Sequence, residues 1–398
     1  DGYTFRQFKY DFRDGSTLSN NYIQCLTQDS SGRIWIGTQG GGLNKLVTSE
    51  CKGFDPANYL DRKEIKRNDR FVQFSIAAAD EAMQNAGLLA PENRQRLVPE
   101  RFGVIFGSGI GGMHTFEENC RALLKKGAKR VSPFFVPMFI PDMAAGQVSI
   151  RFGAQGPNYA TVSACASSGH ALGDALRILQ RGDADLMLAG GTEASITPLT
   201  IAGFSSMKAM TTRNHDPKAA SRPFDAGRDG FIIGEGAGAM VLETLEHARA
   251  RGAETLAELA GYGPSGDAYH ITAPEPSGKG AQIAMRAALA DAGVETTDVD
   301  LLVKIGQLEE LFVFARRNDD RRLLTIRASG RRRACSSTIR KIRIITLPGL
   351  LPEIPSFWSP LIPVALPESQ PRIQTGLAVK ASSLSPMIPV VSVIVIPW

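Results

Sequence analysis

Residues 158–179, NYATVSACASSGHALGDALRIL, place a cysteine where chemistry is possible. A strand-like run ends at Cys165, small residues follow, and the spacing predicts a helix from about Ser167. The first turn of a helix presents backbone N–H groups without intrahelical partners, and such an N-terminus favours thiolate over thiol. Ala164, Ala166, Ser167, Ser168 and Gly169 are small enough for a tight corner that a substrate can approach, as in the serine elbow of hydrolases. A buried, inert cysteine fits the local pattern equally well, because cysteine is among the most buried residue types. His170, five residues on, is the nearest base in sequence. It lies one turn into the helix, where a side chain more often packs or faces solvent, and it is not assigned as the catalytic base.

The five cysteines, at 25, 51, 120, 165 and 335, are odd in number and form no CxxC pair. This argues against a disulfide framework or a zinc site and for a reducing, cytoplasmic setting. No metal ligands are expected. The 398 residues carry a formal charge of +5, with 43% hydrophobic and 21% charged residues, which suits a soluble globular protein and does not point to nucleic acid. The first residues, DGYTFRQFKYDFRDG, hold no apolar core of a signal peptide. No run of about 18 apolar residues suggests a membrane span.

Three segments differ in pattern. Residues 1–50 contain two strand-like runs, IQCLTQD and RIWIGT, around the turn signal Asp29-Ser30-Ser31-Gly32. They resemble one repeat of the two-component-regulator β-propeller. One blade cannot close a propeller, so a hairpin-like appendage is expected. Residues 51–300 alternate helix-like runs such as FVQFSIAAADEAMQNAGL with buried strands such as DLMLAGG, an α/β pattern. Residues 301–398 are arginine-rich, then proline-rich, with no sustained period. They read as a disordered tail or the product of a shifted frame, ahead of a nucleic-acid arm.

Within the middle segment the runs GSGIGG, SPFFVP, GPNYATVSACASSGHALGDA, GDADLMLAGGTEASITPL, GFSSMKAMTTRN, ASRPFDAGRDGFIIGEGAGAMVLE and DAYHITAPEPSG follow in order. Together, over about residues 54–300, they closely resemble the elongating β-ketoacyl-[acyl-carrier-protein] synthases. The resemblance implies a partial thiolase-like layered α/β/α/β/α core, a homodimer, and Cys165 as the nucleophile that accepts an acyl chain. It implies Ile110 and Phe135 along the acyl-chain pocket, Phe204 beside the cysteine at the mouth, and Thr272 along the pantetheine arm. Lys63, Lys66, Arg67, Lys129, Arg130 and Lys208 match a basic rim for acyl carrier protein, and opposite charge speeds such encounters. Any one of these lysines alone reads equally as a solvated surface charge. No bound cofactor is implied, since the substrate arrives on the phosphopantetheine arm of the carrier.

The family's two histidine motifs, NAHGTSTP-like and KSMTGH-like, its GFGGTN-like loop and its opening VTGLG strand do not occur here; the histidines are at 114, 170, 215, 247 and 270. The expectation is therefore acyl loading with condensation weak or absent, or alternatively a catalytically silent carrier-binding module, in a chain prone to aggregate. Gly107-x-Gly109-x-x-Gly112 also matches a dinucleotide fingerprint. The region that should supply the following strand and acidic residue is basic and broken by proline, so that reading is rejected.

Overall fold

The structure, a computed structural model, describes residues 50–296 except 52, 223, 224 and 254, together with the backbone of seven strands outside that range. The strands are β1 (Ile23–Gln28), β2 (Ile34–Thr38), β3 (Gly42–Leu46), β4 (Phe102–Gly107), β5 (Asn158–Thr161), β6 (Leu186–Ala194), β7 (Glu235–Thr244), β8 (Ala257–Tyr262), β9 (Leu301–Ile305), β10 (Leu311–Ala315), β11 (Arg343–Thr346) and β12 (Pro389–Val395). The helices are α1 (Arg62–Arg67), α2 (Arg70–Asn85), α3 (Pro91–Arg94), α4 (Met113–Lys126), α5 (Phe135–Phe139), α6 (Met143–Phe152), α7 (Ser167–Arg181), α8 (Pro198–Ser206), α9 (Pro217–Ala220), α10 (Leu245–Ala250) and α11 (Lys279–Ala292).

The main sheet runs β11-β8-β12-β7-β6-β4-β5. β5, β4 and β6 are parallel, and β7 returns antiparallel to β6 over its whole length. Period-two alternation sorts the side chains. Phe102, Val104, Phe106, Leu186, Leu188, Ala237, Ala239 and Val241 share one buried cluster with Phe71, Phe74, Ala144 and Val148 of α2 and α6. The intervening Ile105, Met187 and Ala189 are equally buried, and α7 packs on β4 and β6. Each fully buried Phe, Leu or Ile contributes roughly 1.5–3 kcal/mol. α2 forms because Asp69 caps it, its side chain accepting from the Phe71 amide, and because its alanine-rich sequence suits a buried helix. α7 ends where Gly182 turns left-handed at φ +76°.

The propeller-like segment has one strand more than a hairpin, β1-β2-β3. Gln28 pairs with Ile34, so the connection falls on 29–33, where the turn is expected; those residues lie outside the described ones. Most of 301–398 also lies outside them. Four strands fall within it, however, and two of these join the main sheet. β12 lies antiparallel between β7 and β8, with Val391 opposite both Leu242 and Ala257.

Candidate active site

β5 delivers the chain to a single 3-10 turn, Ala164–Ala166, and α7 begins at Ser167. Cys165 is exposed on this turn. Ala164 has φ +52°, a conformation uncommon for a residue with a Cβ. Local hydrogen bonds hold it. The Ser167 hydroxyl donates to the Ala164 carbonyl at 2.7 Å and accepts from the Ser163 amide at 2.9 Å. The Thr161 hydroxyl donates to the Ser167 carbonyl at 2.6 Å. Ser163 Oγ lies 2.5 Å from His170 Nδ1. Burial pushes the His170 pKa below its usual value, against a weaker pull from Asp174. The neutral ring can then accept the Ser163 proton on Nδ1. His170 therefore braces the elbow through Ser163. Gly107 lets the sheet approach: a Cβ there would lie 2.3 Å from the Ser167 carbonyl carbon.

The glycine loop after β4 runs between the elbow and α5. Gly109 and Ile110 donate their amides to Glu193 Oε2 at 2.8 and 3.1 Å. These are the groups that would face a phosphate in a dinucleotide fold, and here a carboxylate occupies them. Gly112 donates to the Phe139 carbonyl at 2.9 Å. Phe135 and Phe139 stack at 5.8 Å, and Phe116 of α4 meets both rings. The loop that carries Ile110 is thus joined to α5, which carries Phe135, through the Gly112–Phe139 hydrogen bond. Sequence reasoning missed Ser163 and Glu193. The short T/S-x-S-x-x-x-S pattern of residues 161–167 could have signalled the bracing of the turn, whereas no local signal marks Glu193.

The basic residues gather only in part. α1 carries Lys63, Lys66 and Arg67, all exposed, and is started by an Asp61/Glu64 capping box. The Arg67 guanidinium sits 5.0 Å over the Phe134 ring, next to Phe135. Lys129 and Arg130 lie in the loop leading to Phe134, which Asn119 holds through the Ser132 amide at 2.8 Å. Buried Asp69 ties α1 and α2 to α4 by accepting from the Thr115 amide and hydroxyl at 2.8 and 2.6 Å. Glu117 ties α4 to α8, accepting from the Leu199 amide at 2.6 Å. Phe204 on α8 packs edge-on against Phe231 at 5.2 Å, within a cluster of Ile196, Ile201, Met210 and Ile233. Among the described ring contacts its partner is Phe231. Lys208 follows α8 at φ +59°. Thr272 is exposed in the loop before α11, where His270 Nδ1 accepts from the Thr272 and Ala273 amides at 3.1 and 3.0 Å. His270 is a turn-former. The described contacts do not join Thr272 to the elbow.

Among the described residues no cluster of His, Cys, Asp or Glu could hold a metal ion, and no helix is long and apolar enough to cross a membrane. Comparison with known proteins matches residues 38–248 to the β-ketoacyl synthase N-terminal domain and 256–307 to its C-terminal domain. Residues 17–40 match the two-component regulator propeller. A 3-oxoacyl-[acyl-carrier-protein] synthase 2 of Staphylococcus aureus is 54% identical over 271 residues, 67% of this chain and 66% of that protein. The Synechocystis protein of the same name is 50% identical over 246 residues, 62% of this chain and 58% of its own length. A β-ketoacyl synthase structure from Burkholderia phymatum STM815 superposes with TM-score 0.56 at 32% identity, covering 63% of this chain and 60% of that one. A type II PKS acyl-carrier protein in complex with its ketosynthase, bound to the hexaketide, gives 0.54 at 34% identity over 60% and 59% of the two chains. The chain spans less than two thirds of the length of each of these relatives. Its described core is a partial thiolase-like α/β fold, and the chain belongs to the β-ketoacyl synthase family.

Proposed function

We propose that this chain is a β-ketoacyl-[acyl-carrier-protein] synthase-like acyltransferase of fatty-acid or polyketide synthesis. In this reading Cys165 takes an acyl chain from the phosphopantetheine arm of acyl carrier protein, and no resident cofactor is needed. The observation that carries it is the exposed cysteine on a strained turn at the head of α7, beside the glycine loop that follows β4. The Cys165 thiolate attacks the thioester carbonyl, forming a carbon–sulfur bond and an oxyanion. Collapse breaks the bond to the pantetheine sulfur, which leaves as thiolate and takes a proton from water. Ile110 and Phe135 line the chain, Phe204 stands at the mouth and Thr272 lies along the arm. Lys63, Lys66, Arg67, Lys129, Arg130 and Lys208 meet the acidic carrier. A thiol that must stay reduced suits a cytoplasmic setting.

Loading is proposed to outrun condensation. In condensation malonyl carrier protein loses carbon dioxide and its carbanion attacks the acyl-cysteine, so an enolate must be stabilised. Three of the five histidines already have other work. His170 braces Ser163, His247 pairs with Glu243 at 2.7 Å, and His270 closes its turn. Incubation with acyl carrier protein, followed by intact mass, is expected to show one acyl adduct that is absent in C165A. Malonyl carrier protein is then expected to yield little 3-ketoacyl product. Robust product would overturn the condensation deficit, and no adduct would overturn the loading step.

A catalytically silent module that docks carrier protein is the second reading. It is favoured by the basic α1 held at the aromatic loop through Arg67 and Phe134; carrier binding without an adduct would select it. A homodimer is also proposed. β5 is an edge strand, with Tyr159 within it 37% and Val162 just after it 59% exposed, and such edges favour pairing. Sedimentation velocity decides between monomer and dimer.

A further inference from the structure

Glu193 lies near the end of β6, beneath the glycine-rich loop that follows β4. Its Oε2 accepts from the Gly109 and Ile110 amides, and the Ser108 hydroxyl approaches Oε1 at 3.4 Å. Ser108 Oγ in turn accepts from the Gly111 amide at 3.1 Å. The next residue, Gly112, is pinned against α5: a Cβ there would lie 2.2 Å from the Met138 carbonyl oxygen. On the other flank, a Cβ at Gly109 would lie 3.1 Å from Glu193 Oε2 and 3.4 Å from the Ala164 Cα. One half-buried side chain therefore fixes four consecutive residues between the cysteine elbow and α5.

We propose that Glu193 is a positioning residue that sets the acyl-chain pocket by holding the Ser108–Gly111 backbone, so that its reach, rather than its charge, decides which chains Cys165 accepts. This rests on the proposed roles of Cys165 and Ile110. The partners named here are amides and a hydroxyl, which an acid or an amide can serve as well as a carboxylate. Burial also pushes the Glu193 carboxyl up to about 7, so that the acid is well populated at neutral pH. An acceptor that satisfies two or three donors in a half-buried loop is costly to withdraw, because each donor then loses its partner.

The test separates reach from charge in the full-length chain. Glu193→Asp keeps the charge and shortens the side chain by one methylene; Glu193→Gln keeps the reach and removes the charge. Cys165 is alkylated with iodoacetamide and with N-octyl iodoacetamide, each reaction forming a carbon–sulfur bond and expelling iodide, and both rates are read by intact mass. The octyl-to-parent rate ratio is expected to fall about five- to tenfold in E193D, the scale of one or two lost hydrogen bonds. In E193Q it is expected to stay within about twofold of wild type. An unchanged ratio in E193D, an equal fall in both variants, or equal loss of both rates overturns the proposal. So does a wild-type ratio no different from that of glutathione. Should E193D fail to fold, S108A removes the hydroxyl linking Glu193 to Gly111; an unchanged ratio in folded S108A also overturns it. No carrier protein enters this test, so failure of acyl loading and failure of the pocket assignment are separate results.

Discussion

Ala164 holds a backbone conformation that costs about 1–2 kcal/mol for a residue with a Cβ, and the hydrogen bonds among Thr161, Ser163, Ser167 and His170 keep it there. If that strain presents the cysteine, S163A should slow iodoacetamide alkylation of Cys165 by about 2- to 10-fold, the worth of one hydrogen bond. The melting temperature should fall by about 2–4 °C. Equal alkylation rates at a lowered melting temperature would make Ser163 a stabiliser with no part in presentation. Glu193 makes a prediction about pH. Its folded-state pKa of about 7 lies above the ordinary 4.5, so between these values the folded chain keeps a proton that the unfolded chain has released. The stability linked to that proton is complete below about pH 4.5 and is lost as pH rises through 7. Between pH 5 and pH 8 wild type should lose roughly 2–3 kcal/mol more than E193Q, which cannot titrate. Urea midpoints measure the difference, and parallel curves would contradict it. The corner that carries Cys165 was legible in sequence because it is local, a strand end, small residues and a helix start in one run. Glu193 was not, because its amide partners lie 84 and 83 positions away and only the parallel register of β4 and β6 brings them together.

α1, proposed as part of the carrier-docking surface, is a short helix that its neighbours hold in place. Six residues are too few to be stable in isolation. The Asp61/Glu64 capping box starts the helix, Asp69 joins its end to α4, and Arg67 stacks on Phe134. The helix is thereby fixed beside the Phe134 loop, with Lys63 and Lys66 exposed. The double change K63E/K66E should slow acyl transfer from carrier protein by about tenfold or more at low salt, with the gap narrowing as salt rises. Transfer from a small acyl thioester without a carrier should be unaffected. Equal losses with both donors would place α1 in the pocket instead of the docking surface. The periodic elements were legible for physical reasons. α2 and α7 carry apolar stripes at helical spacing, and β4 and β6 are short apolar runs that the sheet buries on both faces. β12 was not, because proline-bounded PVVSVIV carries no periodicity that distinguishes a strand from an apolar tail. Its pairing depends on β7 and β8, more than 100 residues earlier.

At the scale of the whole molecule, the sheet decides whether any of this chemistry can be expressed. The parallel half, β5-β4-β6, has its apolar faces covered by α2, α6 and α7, and it presents both Cys165 and Glu193 from one end. The other half is joined differently. β7 and β8 are not neighbours, and β12 stands between them with antiparallel ladders to both. Seven of its residues pair with residues 238–244 of β7, so removing it would leave two unpaired edges inside one sheet. Open edges of this kind template association with other chains. Deleting residues 389–398 should therefore drive the chain into aggregates, seen as loss of the monomer or dimer peak in size-exclusion chromatography and a rise in light scattering. The same deletion with a soluble peptide of sequence PVVSVIV supplied in trans should recover part of the soluble fraction, because the slot needs strand geometry and no covalent link. A deletion variant as soluble as the parent, with Cys165 alkylated at the parent rate, would mean that β7 and β8 close on each other without β12. The elbow would then owe its geometry to the parallel half alone.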